Sequence, residues 1–526
     1  MKTLRKRFVG IAAAGLVAAL AFAGCTPGDS DDGSTSDQGS SGSGEPLPDD
    51  QQHLTYAINW GWAASDISKA PLEIGMNIAI SQVMEPLVKI DADKTIQPHL
   101  ATSWEWETPT TLVFQLRDDV TFSDGTPLTA ADAKGSIERY IGAQAALAAV
   151  LAPIETVEAT DDYTLTITTS APTGTLVGVL SIVYIGKAEF SHAELSAQDD
   201  EYWSLPIGTG PFVITDYVPQ DQFVFTRNDD YWGEPALLQT LTMKQIPDIN
   251  QKITALSTDE VQIVGGVPYD QFAAVEALDN VTLEQADSLS YYFLWFMNDS
   301  PPLDDPDVRR AMWMALDLPT IVSSLYGDTR RPMDSFCPSA AFGCVAADGL
   351  PTYDQAGAQD LLTDAGYPDG ITVDMIFSTA NATDNALAQA LISSWQEIGV
   401  TVEPRGLDAA TWLNEFVALN WDMDLQGNQT VTGDADYTLN RLYSCAAERL
   451  GYCNPDLDAI MTQAQQSTDT DERLQLYQQV VDIMAQDTPA IPLFESNINA
   501  AYRNTVQGLE LPANEFIDFS TVYLTD

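Results

Sequence analysis

A β-α-β unit is the feature that most limits the folds open to this chain. Residues 371–378, ITVDMIFS, read as a buried strand, and apolar residues from 387 to 398 recur at the spacing of one helix face. The stretch VTVEP, residues 400–404, then indicates a second strand. Parallel strands need a crossover of this kind, and strand and helix patterns alternate along the rest of the chain. The sequence therefore predicts an α/β fold.

Three local signals place further elements. Residues 111–117, TLVFQLR, alternate as a half-buried strand, and Thr129 followed by Asp132 has the spacing of a helix cap. Asp305-Pro306 predicts another helix start, because proline is favoured at the first helical position. The elements are thus short and numerous, as expected for 526 residues divided among two or three domains.

The chain carries a large excess of acid. Lys and Arg number 23 against 76 Asp and Glu, which gives a formal charge of −53. Phosphate backbones would repel such a protein, so the composition argues against a nucleic-acid partner. A solubilising acidic surface explains the charge, and a preference for cationic ligands is the alternative.

The N-terminus has the order of an export signal. A basic start, MKTLRKR, precedes an apolar run that ends at Gly24 and is short for a membrane span. The stretch FAGC, residues 22–25, resembles the lipobox of bacterial lipoproteins, although Phe22 stands where leucine is usual. This predicts that residues 1–24 are removed and that Cys25 is lipidated, with an exported free thiol as the alternative. Residues 25–50 are small, polar and acidic, and we expect a flexible tether.

Four further cysteines form two close pairs, Cys337 with Cys344 and Cys445 with Cys453. An oxidising compartment outside the membrane favours two local disulfides, although four cysteines permit three pairings. Zinc is the alternative, but neither pair has C-x-x-C spacing and no histidine is near.

Catalytic motifs are missing from the sequence. It contains neither a G-x-S-x-G elbow nor H-E-x-x-H, and its three histidines, His53, His99 and His192, are not grouped. We therefore predict no catalytic residues, no bound metal and no cofactor. With so many acids, carboxylate spacing carries no information, so a carboxylate-only glycosidase stays open.

The stretch Gly208-Thr209-Gly210 resembles half of a phosphate loop. Pro211 follows and removes a backbone donor, and the chain continues as strand rather than helix. We interpret both glycines as turn residues before a pair of strands. Tyr231 and Trp232, farther on, are interpreted as a packed corner.

Several segments in order carry a family resemblance. They are residues 100–140, with SWEWETPTTLVFQLRDDVTFSDGTPLTAADAKGSIERY, then 206–233, 301–316 and 353–370, and the closing helix with PLF. From about residue 54 to the end, the chain resembles family 5 of the extracellular solute-binding proteins, which serve peptide, nickel and related ABC importers. A lipobox and a tether suit such a protein on the cell membrane of a Gram-positive bacterium.

The resemblance implies a two-lobed fold of the periplasmic-binding-protein type with two hinge strands. Lobe I would comprise residues 51–285 and 495–526, with an extra subdomain at about 80–200, and lobe II would comprise 286–494. The hinges would lie near Tyr291–Trp295 and Pro492–Glu495.

The implied function is capture of a solute and delivery to an ABC permease, powered by an ATPase on other chains. We expect a monomer without enzymatic activity. A short peptide is favoured, an oligosaccharide or other neutral solute is second, and an exported hydrolase or a sensor or adhesion lipoprotein would be rival classes. The few, scattered histidines argue against direct nickel ligation.

The solute is expected at loops that follow strands. The candidate ligand-binding residues are Trp60, Trp62, Trp295, Asn298, Asn428 and Asp434. Peptide-binding relatives usually show Gly-Trp followed by an Asp that pairs with the peptide's amino group. Here Asn428 follows Gly427, and Val431 stands about where that Asp would be. Either Asp434, most simply a helix cap, or another acid takes the role, or the ligand has no such amine.

Overall fold

The computed structural model describes residues 44–58, 66–69, 74–92, 94–143, 146–191, 202–203, 205–380 and 382–526. The signal segment, Cys25 and most of the predicted tether lie outside these residues. The end of the tether does not: the backbone N–H of Leu47 donates to the carbonyl of Leu524 at 2.8 Å. Regular contacts therefore begin before residue 51. None of the described helices is long and apolar enough to cross a membrane.

The first part of the chain supplies short strands and helices up to residue 185. The strands are β1 (His53–Ile58), β2 (Glu85–Pro86), β3 (Val88–Ile90), β4 (Ile96–Pro98), β5 (Ala101–Thr108), β6 (Thr111–Leu116), β7 (Ile154–Ala159), β8 (Thr164–Thr169) and β9 (Tyr184–Ile185). The helices are α1 (Ile74–Ile80), α2 (Ala130–Gly142), α3 (Ala146–Leu151) and α4 (Leu176–Val179). The predicted cap is present, since the backbone N–H of Thr129 donates to Asp132 at 2.8 Å and α2 follows.

The middle of the chain leads into one long strand. The strands are β10 (Phe212–Val218), β11 (Gln222–Arg227), β12 (Thr240–Gln245), β13 (Ile263–Gly265) and β14 (Val281–Phe296). The helices between them are α5 (Ile249–Ser257) and α6 (Phe272–Glu276).

The last part of the chain contains the predicted β-α-β unit. The helices are α7 (Pro306–Met314), α8 (Leu318–Tyr326), α9 (Gln355–Asp364), α10 (Ala382–Gln396), α11 (Ala409–Val417), α12 (Ala435–Tyr443), α13 (Pro455–Gln466) and α14 (Thr470–Asp487). The strands are β15 (Arg330–Pro332), β16 (Ile371–Ser378), β17 (Val400–Leu407), β18 (Met423–Gln429), β19 (Ala490–Arg503), β20 (Val506–Gln507) and β21 (Tyr523–Leu524). Strands β16 and β17 pair in parallel across α10, and α7 begins at Pro306 after an Asp305 cap.

One sheet runs through the body. Among the described residues its order is β10-β11-β12-β1-β13-β19-β14-β18-β16-β17, with β15 also paired to β19. A separate four-stranded sheet, β5-β6-β8-β7, lies in the region predicted as a subdomain. The fold is therefore α/β, as predicted.

Strands β14 and β19 connect two hydrophobic cores. They pair antiparallel from Val281 opposite Arg503 to Trp295 opposite Ala490. Along β14, packing changes from the first core to the second between Ala286 and Leu289. The packing change on β14 precedes Tyr291–Trp295, which pack in the second core, and the predicted hinge positions stay a prediction.

Candidate functional site

The glycine turn before β10 is packed against backbone. A Cβ added to Gly208 would lie 1.8 Å from the carbonyl oxygen of Val83, and one added to Gly210 would lie 2.7 Å from that of Gln82. The turn is thus filled by the protein itself, and β10 follows it directly, which agrees with the turn interpretation. The hydroxyl of Thr209 donates to Glu85 at 2.8 Å.

Glu85 is the centre of a buried cluster, which we call the Glu85 cluster. Its carboxylate, 2% exposed, accepts hydrogen bonds from Thr209, the Tyr231 hydroxyl at 2.7 Å and the Trp232 indole at 2.8 Å, and lies 2.8 Å from His99 Nε2. Burial raises the pKa of Glu85, but contacts from His99, Lys89 and Trp232 bring it below its usual value. Tyr231 and Trp232 therefore form a packed corner, as predicted.

The loop between β18 and α12 lies where the two cores meet. Val431 and Tyr437 belong to the chain segment of the second core but pack into the first. Nearby, the backbone N–H of Gly174 donates to the carbonyl of Gln465 at 2.8 Å, and Lys94 Nζ donates to that of Ser339 at 2.7 Å. Loops after strands at such a junction are where open α/β folds bind ligands.

Asn428 lies at this junction. It pairs with Tyr291 across β18 and β14, and its side-chain oxygen accepts from the backbone N–H of Gln429 at 2.8 Å. Arg441 Nη2 donates to the same oxygen at 3.3 Å. Asn428 and Arg441 are thus brought together, although 13 positions separate them.

Asp434 caps α12 and is engaged by a cation. Both of its carboxylate oxygens lie 2.8 Å from Arg473 Nη2, and Tyr477 donates to one of them at 3.1 Å. It also accepts from the backbone N–H of Asp436 at 3.0 Å, which is the cap expected from the sequence. Its further role in recognising an amine stays a prediction.

The other predicted ligand-binding residues lie apart from this loop. Trp295 is 1% exposed in the second core, where its indole nitrogen lies 3.4 Å from the Tyr443 hydroxyl. Asn298 is 9% exposed and donates to the carbonyls of Phe296, Leu450 and Pro489. Trp60 and Trp62 lie outside the described residues, so their roles, like that of Trp295, stay predictions.

Two arginines at the site were missed by sequence reasoning. Arg441 lies one helical turn after Tyr437 on α12, with its guanidinium 4.5 Å from the centre of the Tyr437 ring. Arg449 lies within electrostatic range of both residues, and its pKa is lowered by burial and then by the charge of Arg441. The available signal was the scarcity of Lys and Arg in this chain, which gives any arginine beside a candidate loop added weight.

The same loop holds polar groups without partners. Among the described residues, neither Thr432 Oγ1 nor Gln429 Nε2 has a hydrogen-bond partner, although both atoms are buried. An unpaired buried polar group costs about 1–3 kcal/mol, so a ligand or a water that paired with it would be stabilised. Burial, followed by the charge of Asp434, also raises the pKa of Asp436 in this region to about 6.

Both predicted disulfides are present, and the first lies beside this loop. Cys337 is bonded to Cys344, and Cys445 to Cys453, with Cα–Cα distances of 5.5 and 4.4 Å. Phe342, inside the first disulfide loop, donates its backbone N–H to Gly433 at 2.7 Å. The first bridge therefore closes a segment that is itself hydrogen-bonded to the candidate loop.

The described histidines and acids show no metal arrangement. His53 is exposed and lies 2.7 Å from Thr240 Oγ1, while His192 lies outside the described residues. Within the described ranges, no group of three His, Cys, Asp or Glu side chains could hold a metal ion.

Known proteins share this architecture and sequence pattern. The model of the bacterial extracellular solute-binding proteins, family 5 Middle, matches residues 95–449. The glutathione-binding protein GsiB of Shigella boydii serotype 4 is 26% identical over 413 residues, covering 76% of this chain and 80% of that protein.

Solved structures show the same two-lobed fold. NikA from Brucella suis in complex with Fe(III)-EDTA gives a TM-score of 0.80 at 23% identity, covering 90% of this chain and 100% of that one. The dipeptide-binding protein from Pseudoalteromonas sp. SM9913 in complex with Met-Leu gives 0.76 at 20% identity, with the same coverage. The matched segment, residues 95–449, contains the resembling stretches 100–140, 206–233, 301–316 and 353–370 and the candidate loop. The chain therefore belongs to family 5 of the bacterial extracellular solute-binding proteins, and it acts outside the cytoplasm as a solute-binding protein.

Proposed function

We propose that this chain is a lipid-anchored protein that captures a short peptide and delivers it to an ABC import permease, without acting on the peptide chemically. The observation that carries the proposal is the loop after β18, where Asn428, Tyr437 and Arg441 come together at the junction of the two cores. Relatives named for glutathione and for a dipeptide, and a solved binding protein in complex with the peptide STSA, support a peptide as the solute.

The peptide's amino group would be recognised differently from that of the usual peptide-binding relatives. Val431, 5% exposed, is apolar at the expected acid position, and Asp434 already faces Arg473. A buried ammonium without its own carboxylate is costly, so we expect a free amino terminus to contribute little to affinity.

Calorimetry with di- to pentapeptides, free and N-acetylated, beside a set of oligosaccharides tests the solute class. Peptides should bind, with acetylation changing the affinity less than about threefold, and mass spectrometry should recover them intact. Binding of sugars alone would reject the peptide, turnover of the peptide would reject transport, and loss of binding on acetylation would show that an amine site exists.

The proposal includes closure of two lobes on the solute. Lobe I would be residues 51–285 with 495–526, and lobe II residues 286–494, because β14 and β19 carry the connection between the cores. Small-angle scattering with and without a bound peptide should show a smaller radius of gyration in the complex, and an unchanged radius would speak against closure.

The anchor would be the lipidated Cys25. The variant Cys25→Ser should be released into the medium or remain unprocessed. Firm membrane attachment of a Cys25→Ser chain whose signal has been cleaved would contradict the anchor.

A further inference from the structure

Most arginines in the described part of the chain face a carboxylate. Those within ion-pair distance of an Asp or Glu are Arg117, Arg139, Arg227, Arg331, Arg405, Arg473 and Arg503. In a chain with 76 Asp and Glu residues, an arginine is expected to lie next to a carboxylate. Five described arginines depart from this expectation. Arg309, Arg310 and Arg330 donate to backbone carbonyls instead. Arg441 and Arg449 are the other two, and no described carboxylate lies within ion-pair distance of either.

The contacts of Arg441 are all with neutral groups. Its Nη2 donates to Asn428 Oδ1 at 3.3 Å, its Nε donates to the Tyr437 carbonyl at 3.4 Å, and its guanidinium stacks on the Tyr437 ring at 4.5 Å. The hydrogen bonds are long, and a neutral ring offsets only part of a cation's charge. Arg441 is therefore fixed in direction while no described carboxylate pairs with it.

Arg449 adds a second positive charge to the first. It is half-buried, and among the described residues no side chain or backbone group is hydrogen-bonded to its guanidinium. Both its burial and the nearby charge of Arg441 act against its own ionised form. The two positive charges repel each other, and an anionic group beside them would relieve that repulsion.

Arg441 stacks on a buried residue where the two cores meet. Tyr437, on which Arg441 stacks, is 2% exposed and packs into the first core although α12 belongs to the segment of the second. Arg441 is thus at the junction where the solute is proposed to lie, and Arg449 is within electrostatic range of it. A guanidinium presents several N–H donors in a fixed plane, which suits the oxygens of a carboxylate or a phosphoryl group.

We propose that Arg441 and Arg449 form a subsite for an anionic group of the captured solute, with Asn428 orienting Arg441. The inference rests on the proposed function, because it takes the solute to lie between the lobes. For a peptide, the group would be its terminal or a side-chain carboxylate. The acidic surface elsewhere would repel such a solute, so this pair would provide the local attraction.

Matched probes can separate the anionic group from the rest of the solute. A mixture of random tripeptides as free acids is compared with the same mixture as C-terminal amides, by calorimetry on the purified exported protein. The free acids should bind about 10- to 100-fold more tightly. In Arg441→Gln/Arg449→Gln this ratio should fall to within about threefold, while Arg441→Lys should keep part of it. Lys244→Gln, which removes one positive charge at a surface lysine paired with Glu260, should leave the ratio unchanged.

Inorganic phosphate provides a second test of the subsite that does not depend on peptides. At constant ionic strength, phosphate should raise the melting temperature of the wild type more than that of the double variant, by mass action on the folded state. Equal affinities of acids and amides for the wild type would overturn the anionic subsite and leave solute capture standing. If no peptide binds, the peptide proposal fails by itself, and an equal effect of phosphate on wild type and double variant then overturns the subsite.

Discussion

The Glu85 cluster and the Arg441–Arg449 pair differ in how fully the protein pairs their charges. Glu85 is 2% exposed, and its two oxygens are contacted by donors from four other residues. Arg441 and Arg449 are only partly buried, yet no described carboxylate lies within ion-pair distance of them. A charge whose partners are all supplied by the protein holds the fold, whereas a charge without them is available to a ligand.

The comparison predicts its largest effect at Glu85. Replacing Glu85→Ala should lower the free energy of unfolding by about 4 kcal/mol, because the buried donors of Thr209, Tyr231 and Trp232 lose their acceptor. Urea denaturation measures this change. Asp118→Ala, at an exposed acid, serves as the control. A loss below about 1 kcal/mol in Glu85→Ala would show that the cluster does not stabilise the fold.

Asp434 and Arg473 form an ion pair that is intermediate between the fully paired Glu85 and the arginines without a carboxylate partner. Asp434→Asn keeps the cap oxygen but leaves the buried Arg473 without a carboxylate, so we expect a loss of about 3 kcal/mol in urea denaturation. Asp469→Asn, which changes the cap of α14 in the same way at an exposed position, should cost less than about 1 kcal/mol. Equal losses in the two variants would show that the ion pair contributes nothing.

Asp424 sharpens the comparison, because it is a buried acid with fewer donors than Glu85. It is 0% exposed, accepts from the Trp412 indole at 2.9 Å and from Gln426, and burial raises its pKa to about 7. The folded state therefore binds a proton that the unfolded state releases near pH 4, so stability falls as pH rises from about 4 to above 7.

The expected measure is the difference in unfolding free energy between pH 5 and pH 8. In Asp424→Asn the decrease in unfolding free energy from pH 5 to pH 8 should be about 2 kcal/mol smaller than in the wild type, since the neutral amide cannot ionise. Asp118→Asn, at an exposed acid, should show the same decrease in unfolding free energy as the wild type. A steeper fall in Asp424→Asn than in the wild type would contradict the assignment.

The smallest change in stability is expected at the arginine pair. Arg441→Gln/Arg449→Gln should change the unfolding free energy of the ligand-free protein by less than about 1 kcal/mol, because the substitutions remove a repulsion together with weak contacts. Thermal and urea denaturation without added solute measure it. A loss as large as that of Glu85→Ala would mean that the pair is structural after all.

Sequence by itself determined the architecture. The alternation in 111–117, the caps at Thr129 and Asp305, and the β-α-β unit at 371–404 are local patterns, and each appears in the structure. Such patterns can be read without the fold, because helix and strand periodicities involve residues only two to four positions apart. The close cysteine pairs belong to the same class, with separations of 7 and 8 positions.

Tertiary structure alone decided which charges are satisfied. The sequence marked Asp434 as a cap but could not assign Arg473, 39 positions later, to its oxygens, nor bring Tyr231 to Glu85 across 146 positions. The candidate Trp295 is buried in the second core, whereas Arg441, which no motif marked, lies with Asn428 at the junction of the cores. Spacing along the chain does not encode such contacts, because they depend on which faces of distant elements meet when the two cores form around β14 and β19.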